Sequence, residues 1–101
     1  MKTQIQIALA GVLLAMTQVS FAGGDVAAGK ARAASCAGCH GAMGISATEM
    51  WPNLAGQKAG YLAKQMKAFR DGGRKDAMMT PMAKPLSDAD IDNLAAYFAS
   101  L

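Results

Sequence analysis

All the strong metal-ligating side chains of this sequence fall within five residues. Cys36-Ala37-Gly38-Cys39-His40 reads C-x-x-C-H, the pattern by which haem c is attached to a chain. The spacing is set by the chemistry. Two thiols must add to the two vinyl groups on one edge of a porphyrin, and the next residue must present an imidazole to the iron from the same side. Two intervening residues make one tight helical turn that spans this edge, and Ala37 and Gly38 are small enough to lie against it. A thioredoxin-like C-x-x-C would need a βαβ setting, which the sequence does not offer. A structural zinc site would need four ligands, and the chain has only three Cys and His side chains. A Cys36–Cys39 disulfide would close a loop of a few residues and stabilise little.

His40 is the only histidine, so two histidines from one chain cannot ligate the iron and no distal histidine exists. The sixth ligand must be a methionine, an unusual residue or nothing. Of the eight methionines, Met1 and Met16 lie in the N-terminal segment considered below. Met43 follows His40 too closely to reach the opposite face. Met50 sits beside Trp51 on the segment leaving the proximal side. Met66 belongs to a helical stripe. Met78, Met79 and Met82 remain, nearly forty residues beyond His40, with enough chain to wrap round the ring. Methionine clusters also serve as adaptable apolar packing, and the residues alone leave all three open.

These groups need elements to position them. Asp25 reads as a helix N-cap, with a helix from Val26 to about Cys36 rich in alanine. Gly29 inside it suggests close approach by another helix. Residues 41–56 have no sustained period, and Gly41, Gly44, Pro52, Asn53 and Gly56 mark them as loop. A second helix is expected from Lys58 to about Asp71, with Tyr61, Leu62, Gln65, Met66 and Phe69 as its apolar stripe and Gly72-Gly73 as its stop. Residues 74–85 are expected as an extended loop, kept out of helix by Pro81 and Pro85. Ser87 caps a last helix reaching about Ser100, with Asp88 and Asp90 in its first turn and Ile91, Leu94, Ala95, Phe98 and Leu101 on its buried face. No segment carries a convincing strand pattern. The expected fold class is all-α, with three main helices.

Two segments follow from composition. Lys2, the apolar run Ile5 to Met16 and Ser20-Phe21-Ala22 make a secretory signal peptide over residues 1–22, cleaved before Gly23. The apolar run is too short to span a bilayer, so no stable membrane insertion is expected after cleavage. Residues 23–101 form one small domain, which needs a staple such as a large cofactor to fold. Removing Lys2 from the ten basic residues leaves nine against seven acidic ones. Without a block of like charge, nucleic-acid binding is not expected. Basic residues concentrate at Lys58, Lys64, Lys67, Arg70, Arg74, Lys75 and Lys84, while Asp88, Asp90 and Asp92 gather in the last helix.

Throughout residues 23–101 the chain resembles the class I cytochromes c, most nearly the short single-haem bacterial cytochrome c553 type and single domains of dihaem cytochrome c4. The resemblance rests on Cys36-Ala-Gly-Cys-His40, Pro52-Asn-Leu-Ala-Gly-Gln57, Tyr61-Leu62, Phe69-Arg70 and Met79-Thr-Pro-Met-Ala-Lys-Pro-Leu-Ser-Asp88. It implies the cytochrome c fold, with loops and helices wrapped around one haem c covalently bound through Cys36 and Cys39. It implies that the Pro52 carbonyl accepts a hydrogen bond from the His40 imidazole, and that Gly29 meets Tyr97-Phe98 where first and last helices cross. Counting back from Leu86 in the family register gives Met79 as axial iron ligand opposite His40, with Met82 as the alternative. The implied function is one-electron transfer, with no enzyme activity, between redox partners of a respiratory chain in the periplasm, by a monomer whose partners dock transiently at the haem edge. The alternative is a haem sensor or small haem enzyme with an open sixth iron site.

Overall fold

The computed structural model describes residues 20–21 and 23–101. Apart from Ser20 and Phe21, the expected signal peptide lies outside the described residues, as does Ala22 of its cleavage point. Two short strands, β1 (Ser20–Phe21) and β2 (Gly24–Asp25), pair antiparallel across Gly23. Five helices follow: α1 (Val26–Arg32), α2 (Ala37–His40), α3 (Ala59–Asp71), α4 (Met79–Ala83) and α5 (Asp88–Ala99). The two-residue ladder is too short to carry a sequence pattern, and the architecture is all-α.

α5 is the element the rest packs on. Ser87 and Asp90 form a complete capping box: the Ser87 hydroxyl accepts the Asp90 amide and the Asp90 carboxylate accepts the Ser87 amide, each at 3.0 Å. Ile91, Leu94, Ala95, Ala96, Tyr97 and Phe98 are buried against α1 and α3. Leu101 falls beyond the last helical residue and is exposed, so it leaves the expected stripe.

α1 starts as expected, with Asp25 Oδ1 accepting the amides of Ala27 and Ala28 at 2.8 and 3.2 Å. Asp25 also donates its own amide to Asn93 Oδ1 at 2.8 Å, which pins the start of α1 to α5. Gly29 is the crossing point. A Cβ built on it would lie 1.9 Å from the Asn93 carbonyl oxygen and 2.8 Å from Tyr97 Cβ. The α-helix does not run on to Cys36. It tightens into a 3₁₀ turn over Ala33–Ser35, where the Ser35 hydroxyl donates to the Arg32 carbonyl at 3.1 Å. A serine bonding back to the backbone competes with regular helix, and the tighter turn redirects the chain before the cysteines.

α3 ends where Gly72 adopts φ +92° and returns its amide to Ala68. Leu62, Ala63 and Phe69 are buried, with Met66 partly so, but Tyr61 is 53% exposed. Successive helical residues are about 100° apart. The face turned to α5 is centred on Leu62 and Met66, and Tyr61 lies outside it.

The expectation of an extended segment at 74–85 is incorrect in its second half, where Met79–Ala83 form α4. Pro81 is the third residue of this helix. Amide groups in a first turn have no intrahelical acceptor, so a proline there costs no hydrogen bond. The fixed φ of proline suits the turn.

Candidate functional site

The attachment turn hangs between two fixed points. On one side the 3₁₀ turn leads from α1 into Cys36. On the other, Gly41 ends α2 with φ +87°, and a Cβ there would lie 1.9 Å from the Ile45 carbonyl oxygen. Within the turn, the Cys39 and His40 amides donate to the Cys36 carbonyl at 3.3 and 3.0 Å. Cys36 and Cys39 therefore stand three residues apart on one helical turn, both as free, half-buried thiols. Burial pushes the Cys36 thiol above its ordinary value, opposed in part by the Ser35 hydroxyl and the Arg32 charge.

His40 is only 6% exposed, the one buried polar side chain among the described residues. Its Nδ1 lies 2.8 Å from the Pro52 carbonyl oxygen. A carbonyl can only accept, so Nδ1 carries the proton and Nε2 keeps its lone pair free. The imidazole is thus fixed in the tautomer and orientation suited to binding a metal through Nε2.

The loop from Gly41 to Gln57 makes this contact possible. It folds back on itself: the Gly44 carbonyl accepts the amides of Leu54 and Ala55 at 2.7 and 3.0 Å, and Asn53 Oδ1 accepts the Ser46 amide at 2.7 Å. The Gly56 amide then donates to the Phe98 carbonyl at 2.9 Å and ties the loop to α5.

The methionine segment is organised by Asp76, which the sequence did not single out, and by Arg70, which it marked only as one of the basic residues and as part of the Phe69-Arg70 motif. Asp76 Oδ1 accepts the amides of Met78 and Met79, each at 2.8 Å, and these bonds hold its carboxyl below the ordinary carboxylate range. Its backbone closes on Thr80 in both directions. An aspartate three residues before the first residue of a helix, free to accept the amides two and three positions on, is a readable local signal. Arg70 fixes the exit, donating to the Leu86 carbonyl at 3.1 Å, to Asp88 at 2.8 Å and to both oxygens of Asp71. Met79 is half-buried, while Met78 and Met82 are 52% and 46% exposed.

Two of the seven basic residues expected at the surface are engaged within the domain. Arg70 is held as above, and Arg74 lies 4.5 Å over the Phe69 ring and donates to Gln65 Oε1 at 2.8 Å. Asp90 of the acidic group is occupied by the capping box.

A large apolar prosthetic group fits these residues. Among the described residues the polypeptide fully buries only two large side chains, Ile91 and Leu94. It leaves Met43, Ile45, Met50, Tyr61, Met78 and Met82 exposed, all in the stretch that follows the attachment turn. Such a surplus of exposed apolar side chains signals an interaction surface, and two free thiols beside an oriented imidazole supply the anchor.

Comparison with known proteins gives concordant findings. Residues 26–101 match the cytochrome c family. The chain is 50% identical over 80 residues to cytochrome c-554(548) of Halomonas halodenitrificans, covering 76% of this chain and 96% of that protein. It is 40% identical over 102 residues to a thiosulfate dehydrogenase electron acceptor of Thiomonas intermedia, covering all of this chain and 45% of that one. Reduced recombinant cytochrome c4 from Pseudomonas stutzeri superposes with a TM-score of 0.74 at 43% identity, over 76% of this chain and 45% of that structure. The chain thus spans nearly the whole of the first protein and less than half of the other two.

Proposed function

The chain belongs to the cytochrome c family and carries a single covalently bound haem c, and from that premise we propose that it is a periplasmic shuttle for single electrons with a His/Met-ligated iron. When bound, the haem supplies the redox chemistry, the iron alternating between ferrous and ferric. The chain's own residues do the rest. Cys36 and Cys39 hold the porphyrin edge through thioethers. His40 Nε2 would ligate the iron, and the Pro52 carbonyl accepts the Nδ1 proton, which orients the ring and raises its basicity. Met79 would supply the second iron ligand, with Met82 and then Met78 as alternatives; its greater burial beside its exposed neighbours supports this order. Thioether and imidazole together favour the ferrous state and raise the potential. With His40 and Met79 both engaged, the iron would have no site for a substrate, which supports an electron carrier rather than an enzyme.

The observation that carries this reading is the 2.8 Å contact between His40 Nδ1 and the Pro52 carbonyl. Optical spectroscopy of the purified holoprotein tests it. A low-spin ferrous spectrum without carbon monoxide binding is expected, together with a long-wavelength sulfur-to-iron band in the ferric form that Met79→Ala abolishes. A high-spin ferrous spectrum would establish an open sixth site and overturn the carrier reading in favour of a sensor or small haem enzyme. The intact mass should equal residues 23–101 plus one haem.

Redox proteins are the partners, a reading supported by the relative named as an electron acceptor of thiosulfate dehydrogenase. Docking at the haem edge is transient and guided by a local charge dipole. The rate of electron transfer should therefore fall only modestly as salt rises.

A further inference from the structure

We infer that Asn53 is a positioning residue for the axial histidine, acting through the peptide plane that carries the Pro52 carbonyl. The inference rests on His40 being the iron ligand, as proposed above. The Pro52 carbonyl and the Asn53 amide nitrogen belong to one planar peptide unit. Its tilt decides whether the oxygen meets Nδ1, and that tilt is set by the backbone torsions at Pro52 and Asn53. The ring of Pro52 restricts φ but not ψ, so the orientation must be fixed from the Asn53 side.

Asn53 is tied at two points. Its Oδ1 accepts the Ser46 amide at 2.7 Å, across seven residues of loop. Its carbonyl accepts Gln57 Nε2. Immediately after it, the Leu54 and Ala55 amides converge on the Gly44 carbonyl. These bonds join the two arms of the loop, and Gly56 fastens the result to α5 through Phe98. The Asn53 side chain is the tie nearest the Pro52 peptide and, among the described residues, the only side chain linking the arm that begins at Gly44 to the residue next to Pro52. Among the described residues, apart from the imidazole contact, the other bonds of segment 46–52 are local, between Ser46 and Thr48 and from the Met50 amide to the Thr48 hydroxyl, and none of them reaches the Pro52 peptide.

A weaker Nδ1–H···O bond leaves the imidazole a poorer donor, which destabilises the ferric form relative to the ferrous. Losing a tie of ordinary hydrogen-bond strength should change the balance about fivefold. In the haem-loaded Asn53→Ala variant, hydrogen exchange at His40 Nδ1–H, followed by NMR, is expected to quicken about fivefold. The ferric-to-ferrous ratio at a fixed poise should fall by a similar factor. Asn53→Asp retains an oxygen that can accept the Ser46 amide, and its Nδ1–H exchange should return towards the wild-type rate. A merely structural asparagine would lower the denaturation midpoint and leave exchange and potential where they were; that result would overturn the inference. Asn53→Asp exchanging as fast as Asn53→Ala would do the same. A wild-type holoprotein without a hyperfine-shifted axial imidazole would instead refute His40 as the ligand, so the two failures are distinguishable.

Discussion

Gly29→Ala places one methyl group where α1 and α5 cross. At an ordinary helix position this substitution stabilises by up to about 1 kcal/mol, because alanine loses less backbone freedom on folding. Here the added Cβ would lie 1.9 Å from the Asn93 carbonyl oxygen, 2.6 Å from the Asn93 carbonyl carbon and 2.8 Å from Tyr97 Cβ. Ordinary contact begins at 3.4 Å. Two of the three obstacles are backbone, which no rotamer change can move, so the helices must separate by more than an ångström. A gap of that size forfeits about half of the dispersion energy between facing atoms. Overpacking costs about 1–3 kcal/mol, and the separation adds lost contact along the rest of the crossing. After the propensity gain, a net loss of about 2 kcal/mol is expected, lowering the melting temperature by about 10 °C in a domain of this size. The assay is thermal and urea unfolding of the holoprotein, followed by far-UV circular dichroism. Gly60→Ala is the control: Gly60 lies in the first turn of α3 with nothing within 4 Å of its added Cβ. It should leave the midpoint unchanged or raise it. A Gly29→Ala protein as stable as the wild type would refute the close crossing.

Other outcomes follow from the caps and the arginine clasp. Ser87→Ala removes the acceptor for the Asp90 amide and should cost about 1 kcal/mol in urea unfolding. The Ser87 backbone amide holds Asp90 below its ordinary value of 3.8, so the stability from that bond is complete above about pH 4 and is lost as pH falls through the lower folded-state value. The urea midpoint should be flat from pH 7 to 5 and drop below 4, less steeply in Asp90→Asn, which keeps an acceptor oxygen. Arg70→Lys keeps the charge but cannot reach Asp71, Asp88 and the Leu86 carbonyl together. Its ferric sulfur-to-iron band should fade at lower denaturant than helix content does, whereas in the wild type the two should fade together.

The sequence by itself determined the cofactor, because covalent haem attachment demands consecutive residues at one spacing and no folding is needed to bring them together. It also determined α5 and the start of α1, where capping residues and a 3.6-residue apolar period act within a few positions. Gly29 was legible as a point of close approach because glycine is a poor helix former and stands inside so alanine-rich a helix. The turn at Ala33–Ser35 and the helix at Met79–Ala83 were not legible. Propensity favours continuing the first and forbids neither outcome at the second, and the decision lies in the bond that Ser35 donates to Arg32 and the two that Asp76 accepts from Met78 and Met79. The outward position of Tyr61 depended on which face of α3 met α5. Only the tertiary structure brought the Pro52 carbonyl to His40 as an observed contact and showed Asn53, Asp76 and Arg70 as the ties that hold the loops in place. Those ties join residues 7, 2, 3 and 16 positions apart through loops without periodicity. The Asp76 bonds are local, but the partners of Asn53 and Arg70 are chosen by how the chain closes on α5, which no local pattern of residues encodes.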